Sequence, residues 1–153
     1  MYQMHRVFCA TPWELAGEQR AFYDIIGQFN EREGMPRGVL FVPVTLSDML
    51  DKRPRQPGVD ENIRDSSHYI LLLYQDWGPP ERNFENDYLL ALQCVADPAL
   101  PMRSVAVLQK RQLSGKPLTD GLPEPQAVFS TAEEFSQRIH SLLSVWLDTV
   151  SPR

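Results

Sequence analysis

Along the 153 residues, short runs of consecutive apolar side chains alternate with stretches where apolar residues return every three or four positions. The first pattern predicts strands buried on both faces and the second predicts amphipathic helices. A strand is expected from Gln3 to Cys9, ending in Val7-Phe8-Cys9. Val39 to Val44 is expected to be the second. Pro43 has no N–H to give a ladder, so this strand should lie at an edge or stop there. Tyr69 to Tyr74 reads YILLLY, apolar at every position, as a central strand covered on both faces should be. Ser104 to Leu108 and the short Ala127 to Phe129 supply a fourth and a fifth strand.

Between them lie the predicted helices. Thr11-Pro12-Trp13-Glu14 has the form of a capping box: the Thr hydroxyl takes a free backbone N–H, the Glu reaches back, and Pro fits the first turn. The helix it opens should run to about Arg32, burying Leu15, Phe22, Ile25, Ile26 and Phe29, and should end at Gly34 and Pro36. Ser47 to Gly58 is polar and reads as a long loop, followed by a short helix over Val59 to Asp65. A longer helix from Asn83 to Ala96 should bury Phe84, Tyr88, Leu92 and Val95. Lys110 to Pro125 is a polar connection. Ser130-Thr131-Ala132-Glu133 is a second capping box, opening a helix to Thr149 with Phe135, Ile139, Leu142, Leu143 and Trp146 inward.

Strands alternating with helices predict an α/β fold, a parallel sheet with helices on both faces. The length suits one domain, residues 1–153. Composition narrows the function classes. A formal net charge of −5 disfavours nucleic acid and anionic membrane surfaces, which both require a positive field. No apolar run approaches a membrane span, and Met1 to Ala10 lacks the apolar block of a signal peptide, so a cytoplasmic protein is expected. Cys9 and Cys94, and likewise His5, His68 and His140, are scattered rather than paired, so neither a metal site nor a cofactor is expected.

In a doubly wound sheet, ligands bind beyond the carboxyl ends of the strands, where neighbouring connections leave in opposite directions. Thr11 and Trp13 follow the first strand and are placed at that crevice, with free helix N–H groups that favour an anion. The chain has no Gly-rich dinucleotide fingerprint and no phosphate-binding P-loop. After the central strand comes Asp76-Trp77-Gly78-Pro79-Pro80-Glu81, then Glu85 in the first turn of the next helix. Glu85 either complements the helix dipole or aims a carboxylate into the crevice, where it could act on a glycosidic carbon. Lys110 and Arg111 leave the fourth strand at the same rim, as solvated charges or within reach of a phosphate.

The strand ending in a small-residue turn, the helix with E-L-A-G-E-Q-R (Glu14 to Arg20), V-L-F-V-P-V, R-Q-P-G-V-D-E-N-I and the strand ending in W-G form a series. Over about Arg6 to Lys110 it resembles the TIR-like domain of unknown function at the N-terminus of bacterial STAND-type NTPases and signalling proteins. It is similar also to TIR domains and nucleoside 2-deoxyribosyltransferases. The resemblance implies a flavodoxin-like three-layer sandwich with strand order 2-1-3-4-5. It implies Glu85, or less so Glu81, as the catalytic carboxylate that attacks or stabilises an N-glycosidic centre. Thr11, Trp13, Asp76, Trp77 and Tyr74 would then hold a nucleotide-like molecule. Because no complete catalytic motif precedes Glu85, the function expected first is signalling through a protein partner or a homodimer. An N-glycosidic enzyme acting on NAD or a nucleoside is the alternative.

Overall fold

The computed structural model describes residues 1–45, 58–78, 80, 83–111 and 121–151. Five strands, β1 (Gln3–Ala10), β2 (Val39–Val44), β3 (His68–Leu73), β4 (Ser104–Lys110) and β5 (Ala127–Phe129), form one sheet in the order 2-1-3-4-5. Every pairing is parallel. Among the described residues, four α-helices flank it: α1 (Ala16–Phe29), α2 (Val59–Arg64), α3 (Phe84–Ala96) and α4 (Ala132–Val150). This is a flavodoxin-like α/β sandwich. The loop expected over residues 47–57 and most of the connection after Lys110 lie outside the described residues.

Alternation along the strands divides the core in two. Val7 and Cys9 of β1, with Ile70 and Leu72 of β3, face the layer that packs on Phe22, Ile26 and Phe29 of α1 and on Phe135, Ile139 and Leu143 of α4. Phe8 and Ala10, with Tyr69, Leu71 and Leu73, face the opposite layer, which holds Val59 and Ile63 of α2 and Phe84, Ala91 and Cys94 of α3. β3 is buried over its whole length, which is why its sequence shows no polar alternation. The first half of β1 is more open because β3 pairs with it only from Val7 onward.

The edge position expected of β2 holds, and its outer side is closed by a side chain. Asn30 Nδ2 donates to the Phe41 carbonyl at 2.9 Å, and the Phe41 N–H donates to Asn30 Oδ1 at 2.9 Å. One amide thus occupies the place of a neighbouring strand and covers an edge that could otherwise template aggregation.

The helix expected to stop at Gly34 does not stop there. After Phe29 it widens into a π-helical turn, Asn30–Gly34, and tightens into a 3-10 turn, Met35–Arg37, which ends at Gly38 with φ +75°. Pro36 falls in the opening turn of that segment, where its missing N–H costs nothing. Gly34 is needed for another reason. A Cβ there would lie 2.7 Å from the Val39 carbonyl oxygen, so only glycine lets the turn press against β2.

The first capping box does not form. Leu15 stands at the cap position of α1 without a side-chain cap, and the Leu15 N–H bonds the Pro12 carbonyl at 2.9 Å in a 3-10 turn, Trp13–Leu15. The second forms one residue later than expected: Thr131 Oγ1 accepts from the Glu134 N–H at 3.1 Å. On α3 Phe84, Asp87, Ala91 and Cys94 are buried, Tyr88 and Val95 pack partly buried against the same layer, and Leu92 is exposed. Small residues let α3 approach the sheet, so Ala91 and Cys94 take the inner face and Leu89 and Leu92 turn outward.

At the amino rim His68 lies flat on Trp146 of α4, ring centroids 3.9 Å apart at 6°. Its Nδ1 bonds Ser104 Oγ at 2.7 Å. Burial, then the charges of His5 and Arg103, push the imidazole down to about 3. Burial and Arg103 also lower His5. An unfolded histidine titrates near 6.5, so between these values the native state binds fewer protons than the unfolded chain. This contribution is complete above pH 6.5 and is lost as the pH falls toward 3. Urea unfolding at about pH 7.5 and about pH 5 should show a loss of about 2 kcal/mol traceable to this histidine. His68→Gln should show a shallower pH slope; identical slopes would contradict the assignment.

Candidate functional site

The crevice between diverging connections falls where expected. β1 and β3 are neighbours in parallel register, Ala10 opposite Leu71, so their carboxyl ends open on one rim. From there α1 returns over one face of the sheet and α3 over the other. The two connections touch. A Cβ on Gly78 would meet the Phe84 ring at 3.2 Å and Pro12 Cβ at 3.5 Å, and Gly78 itself has φ +82°. Asp76 Oδ1 accepts the Gly78 N–H at 2.7 Å and sets this turn.

A cleft of about 70 Å³ opens here, lined by Pro12, Glu14, Tyr74, Gln75 and Asp76. Pockets that enclose small ligands run to roughly 300–1,000 Å³, so the space between these residues suits a fragment of a ligand rather than a nucleoside.

The residues singled out from the sequence have diverse surroundings. Thr11 is wholly buried and shares a 3.4 Å hydrogen bond with Cys9 Sγ. Burial pushes that thiol up to about 12, which the Thr11 hydrogen bond offsets in part, so Cys9 is an inert core group. Trp13 gives its backbone to the 3-10 turn, and its side chain lies outside the described residues. Asp76 is exposed and lines the cleft. Trp77 is half-buried against the α3 layer, its ring 5.9 Å from that of Tyr88. Glu85 is exposed in the first turn of α3, beyond the Asn83 cap. Glu81 lies outside the described residues. Asp76 and Tyr74 are therefore brought together, whereas neither Thr11 nor Glu85 lines this cleft.

Two features of the rim escape sequence reasoning. Asp87, two residues beyond Glu85, is wholly buried, so it and not Glu85 is the shielded carboxylate at the start of α3. Lys110 Nζ forms a 2.7 Å ion pair with Glu18 Oε1 and sits 6.0 Å from the centre of the Tyr74 ring. Glu18 retains only 14% side-chain exposure, so the pair is shielded and ties the end of β4 to the first turn of α1 across the end of β3. Nothing in the chain order joins positions 18 and 110.

No family model matches the chain, and no curated protein matches it. Among the described residues no cluster of His, Cys, Asp or Glu could hold a metal ion, and no helix is long and apolar enough to cross a membrane.

The joint at Gly78 can be tested against a glycine with similar φ and open surroundings. Gly38 has φ +75° and nothing within 4 Å of a Cβ. Both Gly78→Ala and Gly38→Ala should cost about 1–3 kcal/mol of backbone strain in urea unfolding. Gly78→Ala should cost more, because it also crowds Phe84. Equal losses would mean that Gly78 is not packed against the Phe84 ring.

Proposed function

We propose that this chain is a TIR-like signalling or effector domain that acts through protein–protein contact. The sheet order and the parallel pairing suit that family, and they supply the frame that the resemblance requires. The observation that carries the reading is on α3. Leu89 and Leu92, three positions apart on one helix face, are 49% and 38% exposed, while the smaller Ala91 and Cys94 are buried. Leucines turned outward past small inward residues give up burial that they would otherwise gain, roughly 1.5–3 kcal/mol each when complete. A partner helix or a second copy would restore it. The small cleft at Pro12 and Tyr74 points the same way, since contact needs no enclosed pocket.

The alternative is an N-glycosidic enzyme acting on NAD or a nucleoside, with the ligand at the carboxyl rim. It is supported by the switch-point geometry and by Glu85 in the first turn of α3. There Asp76 and Tyr74 would meet the ligand and Glu85 would stabilise the developing positive charge.

One set of measurements separates the two. On the contact reading, the protein self-associates in sedimentation or recovers a partner from native extract, and Leu92→Asp abolishes this without unfolding the chain. NAD and nucleosides are left intact. A wild-type protein that stays monomeric at high concentration and recovers no partner contradicts the contact reading. Base release that is lost in Glu85→Gln would establish the enzyme instead.

A further inference from the structure

We propose that α1 and the turn after it form a strap that keeps β2 from pairing with β2 of a second copy of this chain. The strap does not involve α3, and it stands apart from the function proposed above.

An edge strand offers its outward N–H and C=O groups to any other strand. In β2 these groups belong to Val39, Phe41 and Pro43, and beyond the strand to Thr45, because the residues between them turn theirs toward β1. Each position is closed in its own way. The Asn30 amide takes both groups of Phe41. The Tyr23 hydroxyl accepts the Thr45 N–H at 3.3 Å and donates to the Thr45 carbonyl at 3.2 Å. Gly34 presses on the Val39 carbonyl, where a Cβ would come within 2.7 Å. Pro43 has no N–H to offer. Tyr23, Asn30 and Gly34 are seven and four positions apart, which sets them on one stripe. They meet Thr45, Phe41 and Val39 in that order, so the helix runs antiparallel along the edge in place of a sixth strand. The lengths agree: seven helical residues rise about 10.5 Å and four strand residues about 13 Å. The opposite edge, β5, has three residues, and Arg138 Nε donates to its Val128 carbonyl at 3.2 Å. β2, with six residues, is the edge on which pairing counts.

A second copy fits the bared edge. A two-fold axis through Phe41 sets this residue opposite its counterpart, each giving one N–H and taking one. Val39 then faces the partner's Pro43, and the bond that needs a Pro43 N–H is missing on both sides. Strap and proline therefore act in the same direction, against dimers joined sheet to sheet.

Sedimentation in a Leu92→Asp background tests this with the α3 face disabled. Adding Tyr23→Phe and Asn30→Ala should convert monomer to dimer. Adding Pro43→Val as well should lower the dissociation constant by at least about tenfold, because each copy regains a backbone donor. Thr131→Ala removes a hydrogen bond from the cap of α4 instead and should leave the Leu92→Asp protein monomeric. A monomeric Tyr23→Phe/Asn30→Ala variant, equal association in Thr131→Ala, or no gain from Pro43→Val would overturn the proposal. Hydrogen exchange of the unaltered protein supplies a reading that no variant's folding can blur. The Phe41 and Thr45 amides, which face the strap, should exchange together through local opening, faster than those of Leu40 and Val42, which face β1. Equal protection of the two sets would also overturn it.

Discussion

The parallel pairing of β1 with β3 is the constraint on which the rest of this structure depends. It joins Val7–Ala10 to His68–Leu71 in the middle of the sheet, where both strands are covered by helices on each face. Backbone groups buried so deeply must find partners within the sheet, because water cannot reach them. The pairing also sets direction. Two adjacent parallel strands release their chains on the same rim, and α1 and α3 then leave over opposite faces. The contact of Gly78 with Pro12 and Phe84 and the ion pair of Glu18 with Lys110 both follow from that divergence. The rim is thus narrowed by packing and by one shielded salt bridge to a cleft of about 70 Å³, and a wider groove lies between α1 and α4.

Much of the fold was legible in the sequence because strand burial leaves a direct trace. YILLLY has no polar alternation, since β3 is enclosed on both faces, and Pro43 marked β2 as an edge. Val39–Val44 and Ala127–Phe129 were bounded correctly because turn-forming residues flank them. Helix phase was less legible. On α3, stripes beginning at Phe84 can drift either way. The larger residues favoured Leu92, while close approach to the sheet favoured Ala91 and Cys94. The two capping boxes show the limit of a local motif. Thr131 caps α4, where the chain is exposed, whereas Thr11 is drawn into the core beside Cys9.

The site was legible in position more than in composition. The rim was found from topology, and Asp76 and Tyr74 do meet there. Which carboxylate would be buried was not legible, because that depends on helix phase: Asp87 is buried and Glu85 is exposed. Pairings between distant elements leave no mark in the chain order. Glu18 with Lys110, Glu33 with His140 and Asn30 with Phe41 are of this kind. The π-helical turn after Phe29 also had no clear signal, because Gly34 and Pro36 resemble an ordinary helix end.

Hydrogen exchange of backbone amides tests the central pairing most directly. If β1–β3 holds the fold together, the ladder amides of Val7–Ala10 and Ile70–Leu72 exchange only through global unfolding, with the slowest rates in the chain and one shared dependence on denaturant. Exchange of these amides through local opening, faster than the amides in the middle of α1 or α4, would show that the helices hold the structure together and would contradict the account.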